Sequence, residues 1–267
     1  MNDFEYLRPT SLSEAVRALR DAGDEGKLLA GGQSLIPIMK LGLAAPEQVV
    51  SLAGVAELSG ISHEGETVVI GATARHIEVA RSSVVLSAIP ALAHLAGNIG
   101  DAQVRNRGTL GGSLAHDDPA ADYPAAVLGL GATIHTDRRK IDADDFFVGM
   151  FETALEPDEI ITKVTFPIPR RAAYAKFPNP ASGYALAGVF VSQGPKGVRV
   201  AVTGAGQSVF RVSAMEQALA NRFAADALDT VAVSASGLAS DLQASAEYRA
   251  HLVTVMAKRA VAAAGGS

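Results

Sequence analysis

The sequence predicts a mixed helix-and-strand protein, α+β overall and α/β in places. Three observations predict it. Between residues 11 and 52 a helical pattern, two short strands and a glycine turn alternate, which is how a small α/β unit reads. Residues 58–71 and 134–167 read as short strands and turns, with helical and irregular stretches between them. Residues 184–212 then read as three strands joined by tight turns, followed by an alanine-rich helical tail. With 267 residues, 48% apolar and 19% charged, the chain can bury a sizeable core in one large domain or two smaller ones.

The elements follow in order. Ser11 and Glu14 have capping-box spacing. Leu12, Ala15, Val16 and Leu19 share the next helical face, and Gly23 stops the helix. Residues 27–30 form a strand that runs into Gly31-Gly32. Residues 34–41 form a helical turn, in which Pro37 is tolerated only in the first turn. Residues 49–52 are a second strand. Residues 58–71 make a hairpin turning near Glu64-Gly65. Residues 75–82 and 84–96 are helical, with a break near Pro90. Residues 98–119 are rich in Gly, Asn and Asp and lack periodicity, which predicts a long irregular and functional segment. Asp122 caps a helix reaching Leu130. Residues 134–167 alternate strands and turns. Four prolines in the 167–180 stretch mark a boundary. The strands at 184–191, 197–203 and 208–212 make a meander, and helices are expected around 213–221, 226–236 and 246–263.

Composition excludes several functions. The 23 basic and 28 acidic residues leave a net charge of −5, so the basic footprint of a nucleic-acid binder is missing. No cysteine is present, so this chain holds no disulfide, thiolate nucleophile or cysteine-ligated cluster. The start lacks a signal-peptide pattern and no stretch is long and apolar enough for a membrane span, which makes a cytoplasmic location the expectation.

Gly32-Gln33-Ser34-Leu35-Ile36 lacks the second glycine of a nucleophile elbow. Gly204-Ala205-Gly206 and Gly129-Leu130-Gly131 both lack the third glycine of the dinucleotide fingerprint. The six histidines show no metalloprotease spacing, and His116-Asp117-Asp118 reads as a polar turn before Pro119 rather than a metal site. Two segments remain: Ala30-Gly31-Gly32-Gln33-Ser34-Leu35 and Thr109-Leu110-Gly111-Gly112-Ser113. Each pairs two glycines with hydroxyls, and glycine lets bare backbone N–H groups approach an anion. The first follows a strand and opens a helix, whose N-terminus favours anions. Together they fit an extended diphosphate held from two sides.

These segments, in the longer runs 28–41 and 103–113, resemble the two FAD signatures of the medium subunits of molybdenum hydroxylases, the family of the carbon monoxide dehydrogenase flavoprotein and the xanthine dehydrogenase flavin domain. The resemblance runs from Phe4 to about residue 260. It implies an FAD-binding domain similar to that of vanillyl-alcohol oxidase, over residues 1–170 with subdomains at about 1–55 and 56–170. A C-terminal domain with a three-stranded antiparallel sheet and helices would cover residues 171–267. It implies that Leu29, Ala30, Gly31, Gly32, Gln33, Ser34 and Leu35, with Thr109, Gly111, Gly112 and Ser113, wrap the diphosphate. It places Ile99, Asp122, Ile161 and Lys176 near the flavin, with Lys176 as a cation approaching the isoalloxazine. Tyr184 is a further candidate to cover the flavin edge. No catalytic acid or base and no metal ligand is expected in this chain.

The implied role is electron transfer. A large molybdenum subunit with molybdopterin oxidises the substrate, a small subunit with [2Fe-2S] clusters carries electrons, and FAD in this chain passes them to an external acceptor. The implied assembly is a dimer of heterotrimers. Two other readings stay open: a self-sufficient FAD-dependent oxidase or dehydrogenase, and a non-catalytic scaffold subunit.

Overall fold

The computed structural model describes residues 2–265. Three larger sheets and three apolar cores organise them, with a two-stranded ribbon of Phe147–Gly149 and Glu152–Thr153 beside the second. The first is parallel and three-stranded. Gln48–Ser51 lies in the middle, with Glu5–Leu7 and Gly26–Leu29 at its sides. The Leu12–Ala22 helix lays Ala15 and Leu19 on this sheet, against Val50, Leu52, Val55 and Leu58. Ser11 accepts from the Glu14 N–H at its start, and Gly23 closes it at φ 55°. The Glu14 carboxylate takes the Thr10 N–H rather than that of Ser11, so the reciprocal arm of the expected capping box lands one residue early.

The second sheet is antiparallel, in the order Ile61–Glu64, Thr67–Gly71, Ile161–Pro167, Thr133–Thr136, Lys140–Asp142. Ile161–Pro167 therefore joins two hairpins that are far apart in sequence. Five helices cover the core of this unit: His76–Arg81, Ser83–Ala88, Pro90–Gly97, Leu110–His116 and Tyr123–Leu130. Pro90 sits at the first position of its helix, which explains the break. Two helices, one of them outside those five, correct the sequence reading of 98–119 as irregular. Ala102–Arg105 and Leu110–His116 both lie there, each started by a side-chain cap, Asp101 and Thr109. Their shortness and their glycines hide any 3.6-residue period.

The third sheet has four antiparallel strands, not three: Arg171–Pro178, Ala185–Gly194, Gly197–Thr203 and Phe210–Arg211. The extra strand lies inside the stretch whose prolines read as a boundary. It is an edge strand with Pro178 at its end, where a missing N–H costs no ladder bond. Side-chain alternation gives this sheet two apolar faces. Val189 and Val191 face the helices Ser213–Asn221 and Ala246–Ala263, while Phe190 faces the Tyr123–Leu130 helix. Gly129 makes room for that ring, since a Cβ there would lie 2.9 Å from Phe190 Cδ1. Ser192 Oγ and Arg199 Nε donate to the Gly129 and Leu128 carbonyls, satisfying the end of the helix. The helix expected around 226–236 is reduced to a 3₁₀ turn at Ala225–Leu228. The following Thr230, Val231, Val233, Ser234 and Ser236 are poor helix formers. No helix among the described residues is long and apolar enough to cross a membrane.

Phe190 is fully buried where the second and third sheets meet. Phe190→Ala should cost about 3–5 kcal/mol in a denaturant titration, the range for emptying a packed aromatic site.

Candidate cofactor-binding site

The three units enclose one cavity of about 870 Å³. Its walls come from the first glycine segment, the second glycine segment, the start of the Ile161–Pro167 strand and the 181–184 loop. All the site residues expected from sequence line it except Leu29 and Lys176. Leu29 ends its strand and accepts from the Leu52 N–H. Lys176 stands behind the wall.

The first segment leaves the parallel sheet at Leu29 and enters the helix Leu35–Lys40, with Pro37 in its first turn as expected. The first helical bond runs from the Ile36 N–H to the Gly32 carbonyl, 3.3 Å. The N–H groups of Gln33, Ser34 and Leu35 therefore have no helical partner and are available to a ligand. Gly32 has φ 73°, which a side chain would strain. Gly31 has a different reason to be glycine. A Cβ there would collide with the Arg107 carbonyl and lie 2.7 Å from Gly108 Cα, so the two glycine segments touch backbone to backbone.

The second segment works otherwise than the sequence reading assumed. Its N–H groups are already engaged: Leu110 donates to Ala74 O, Gly111 to Ala72 O and Gly112 to Thr109 Oγ1. Gly111 is packed against Ala72, where a Cβ would meet another at 2.7 Å. This segment gives the cavity clearance and the hydroxyls of Thr109 and Ser113, not bare backbone donors.

Asp122 occupies the N-cap position of Tyr123–Leu130, but its carboxylate makes no capping bond. Instead it accepts from Tyr174 Oη at 2.5 Å and pairs with Lys176 Nζ, which lies 3.0 and 3.2 Å from its two oxygens. Burial holds the Asp122 carboxyl above the usual carboxylate range, and Lys176 and Tyr174 offset only part of that rise. Tyr184 lines the mouth and is half exposed.

His76 also lines the cavity, and sequence reasoning passed over it. Its ring lies against Gly108, whose Cβ would come 2.9 Å from Cδ2. Burial, reinforced by the nearby Arg105 charge, lowers its pKa to about 4, so the imidazole is neutral near pH 7. A lone histidine outside any motif carries no sequence signal; only its packing against a motif glycine marks it. Asp117 turns the chain out of the Leu110–His116 helix in a left-handed conformation, φ 45°. Its buried carboxylate has no partner among the described residues, and burial with the neighbouring Asp118 raises its pKa to about 7. Among the described residues no group of three or more His, Cys, Asp or Glu side chains is placed to hold a metal ion.

The donor set suits a dinucleotide. Free N–H groups and uncharged hydroxyls meet beside Gly31, Gly32 and Gly112, which are packed so closely that a Cβ at any of them would press on its neighbours, and the cavity volume lies in the range of cofactor sites. Comparison with known proteins gives the same answer. Residues 2–169 match the family described as the FAD binding domain in molybdopterin dehydrogenase, and residues 172–264 match the CO dehydrogenase flavoprotein C-terminal domain. The chain belongs to this family of FAD-binding medium subunits. Its relatives include the carbon monoxide dehydrogenase medium chain of Hydrogenophaga pseudoflava, 36% identical over 98% of this chain and 96% of the relative. The nicotine 6-hydroxylase medium subunit of Paenarthrobacter nicotinovorans is 36% identical over 98% of this chain and 97% of the relative. Among solved structures, reconstituted CO dehydrogenase from Oligotropha carboxidovorans superposes with a TM-score of 0.91 at 34% identity, covering 98% of each chain. The mixed α+β plan implied by the resemblance, an FAD-binding part followed by a C-terminal part, is thus the observed one, and the chain is a flavoprotein subunit of the oxidoreductase class.

Two outcomes follow from the geometry. Because folding lowers the His76 pKa from 6.5 to about 4, His76 contributes stability that is present above pH 6.5 and is lost as pH falls towards 4. NMR titration of the ring should give a midpoint near 4. Gly112→Val puts a side chain between Thr109 Oγ1 and Ala30. It should weaken FAD binding by about tenfold or more, about 1.4 kcal/mol, by flavin titration, with far-UV circular dichroism unchanged.

Proposed function

We propose that this chain is the electron-transfer subunit of a molybdenum-containing hydroxylase or dehydrogenase. The observation that carries the reading is the backbone contact of Gly31 with Arg107 and Gly108 at the edge of a cofactor-sized cavity. Bound FAD supplies a carrier that can accept and release electrons in small steps. The chain's residues bind and orient it. Ala30 to Leu35 present N–H groups and the Ser34 hydroxyl to the diphosphate, and Leu29 seats that turn on the sheet. Thr109 and Ser113 add hydroxyl donors, with Gly111 and Gly112 keeping the approach open. Ile99 and Ile161 give apolar contacts, and Asp122 and Lys176 set the charge beside the flavin. Residues 1–170 form the FAD-binding domain, with subdomains at about 1–55 and 56–170, and residues 171–267 the C-terminal domain.

Electrons reach this subunit from the [2Fe-2S] clusters of a small partner and ultimately from a large molybdopterin-bearing subunit, in a dimer of heterotrimers in the cytoplasm. They leave to an external acceptor. The absence of cysteine supports this division, since the chain cannot ligate clusters itself. Relatives of similar identity are named for carbon monoxide and for nicotine, which supports placing substrate choice in another subunit.

The protein should purify yellow with near-stoichiometric FAD, and native purification should bring an iron–sulfur and a molybdenum protein with it. A colourless protein that takes up no added FAD overturns the flavin assignment. A flavoprotein that purifies alone and turns over a small substrate overturns the electron-transfer role in favour of a self-sufficient enzyme.

A further inference from the structure

Lys176 does not line the cavity, yet its ammonium is tied to two parts of the wall. Tyr174 and Lys176 are two residues apart on the Arg171–Pro178 strand, so both side chains leave the same face. That face is turned towards the Pro90–Gly97 helix and the start of the Tyr123–Leu130 helix, and both side chains end on one carboxylate, Asp122, which does line the cavity. The second bond of Lys176 Nζ goes to the Asn98 carbonyl at 2.8 Å, one residue before the cavity-lining Ile99. A single ammonium thus braces two stretches of wall from behind. The arrangement is built in on the far side as well. Gly188 pairs with Lys176 across the sheet, and a Cβ at Gly188 would collide with the Tyr174 hydroxyl and lie 3.0 Å from Cζ.

We propose that Lys176 and Tyr174 are positioning residues that hold the Asp122 carboxylate in the cavity wall, and that this balanced charge pair sets the redox potential of the bound flavin. The inference rests on the FAD-binding reading above. The Lys176 and Asp122 side chains are only 10% and 5% exposed, so water screens them little and each charge is offset chiefly by the other. Adding electrons to a cofactor beside the pair adds negative charge. Removing the ammonium leaves a carboxylate that opposes reduction, whereas removing the carboxylate charge leaves an ammonium that favours it. Tyr174, by donating to Asp122, withdraws part of the carboxylate's charge from the cavity.

The experiment measures flavin midpoint potential and FAD content in the purified complex. Lys176→Met should lower the potential, Asp122→Asn should raise it, and the double variant should return close to the parent. Lys176→Arg should restore most of the Lys176→Met shift, because it keeps the charge. Should Lys176→Met retain no flavin, Tyr174→Phe keeps the charges and the fold and should lower the potential by a smaller amount. Single variants that keep FAD and leave the potential unchanged, or that shift it in the same direction, overturn the proposal. So does Tyr174→Phe at the parent potential when Lys176→Met cannot be read. A parent protein without FAD fails the functional assignment instead, so the two failures are told apart by the flavin content.

Discussion

The contact of Gly31 with Arg107 and Gly108 is the constraint on which the site depends. It presses a turn from the parallel sheet onto a turn that precedes the Leu110–His116 helix, with no side chain between them. The same device recurs one layer deeper, where Gly108 lies on His76 and Gly111 on Ala72. Each of these positions gives up side-chain packing and pays the larger entropy of ordering glycine. In return the backbone of two distant segments closes to a separation that any Cβ would prevent. The free N–H groups at Gln33 to Leu35 then face the hydroxyls of Thr109 and Ser113 across one cavity.

The third sheet takes part in this site although it carries neither glycine segment. One of its faces builds its own core with the terminal helices. The other docks Tyr174 and Phe190 against the FAD-binding core. Ser192 and Arg199 complete the end of the Tyr123–Leu130 helix, while Tyr174 and Lys176 take hold of Asp122 at its start. Both ends of one buried helix are thereby fixed by residues from the same sheet, and the helix places Asp122 in the wall.

Much of this was legible in the sequence, for definable reasons. The Leu12–Ala22 helix, the flanking strands and the turn at Gly31-Gly32 announce themselves through periodicity, caps and glycine, all of which are local. The pairing of the two glycine segments came from their resemblance to a known family. What escaped notice depends on partners distant in sequence. Prolines masked the Arg171–Pro178 strand, because only its place at a sheet edge makes them harmless. Nothing near Gly111 reveals that its N–H is spent on Ala72, so the second segment read as a set of free donors. Asp122 looked like a helix cap since its true partners lie some fifty residues on. His76 stands outside any motif and gains meaning only from the glycine packed on it.

The cavity walls are drawn from residues near 30, 110 and 160, which belong to two of the apolar cores, and from the 181–184 loop between two strands of the third sheet. No one unit contains the site. Its wall is complete only when the 181–184 loop of the last sheet is in place, late in the order in which the chain emerges during synthesis. Cofactor loading is therefore a readout of completed folding. A ligand that binds only the finished form pulls the population towards it by mass action. The colour of the protein thus doubles as its own quality control.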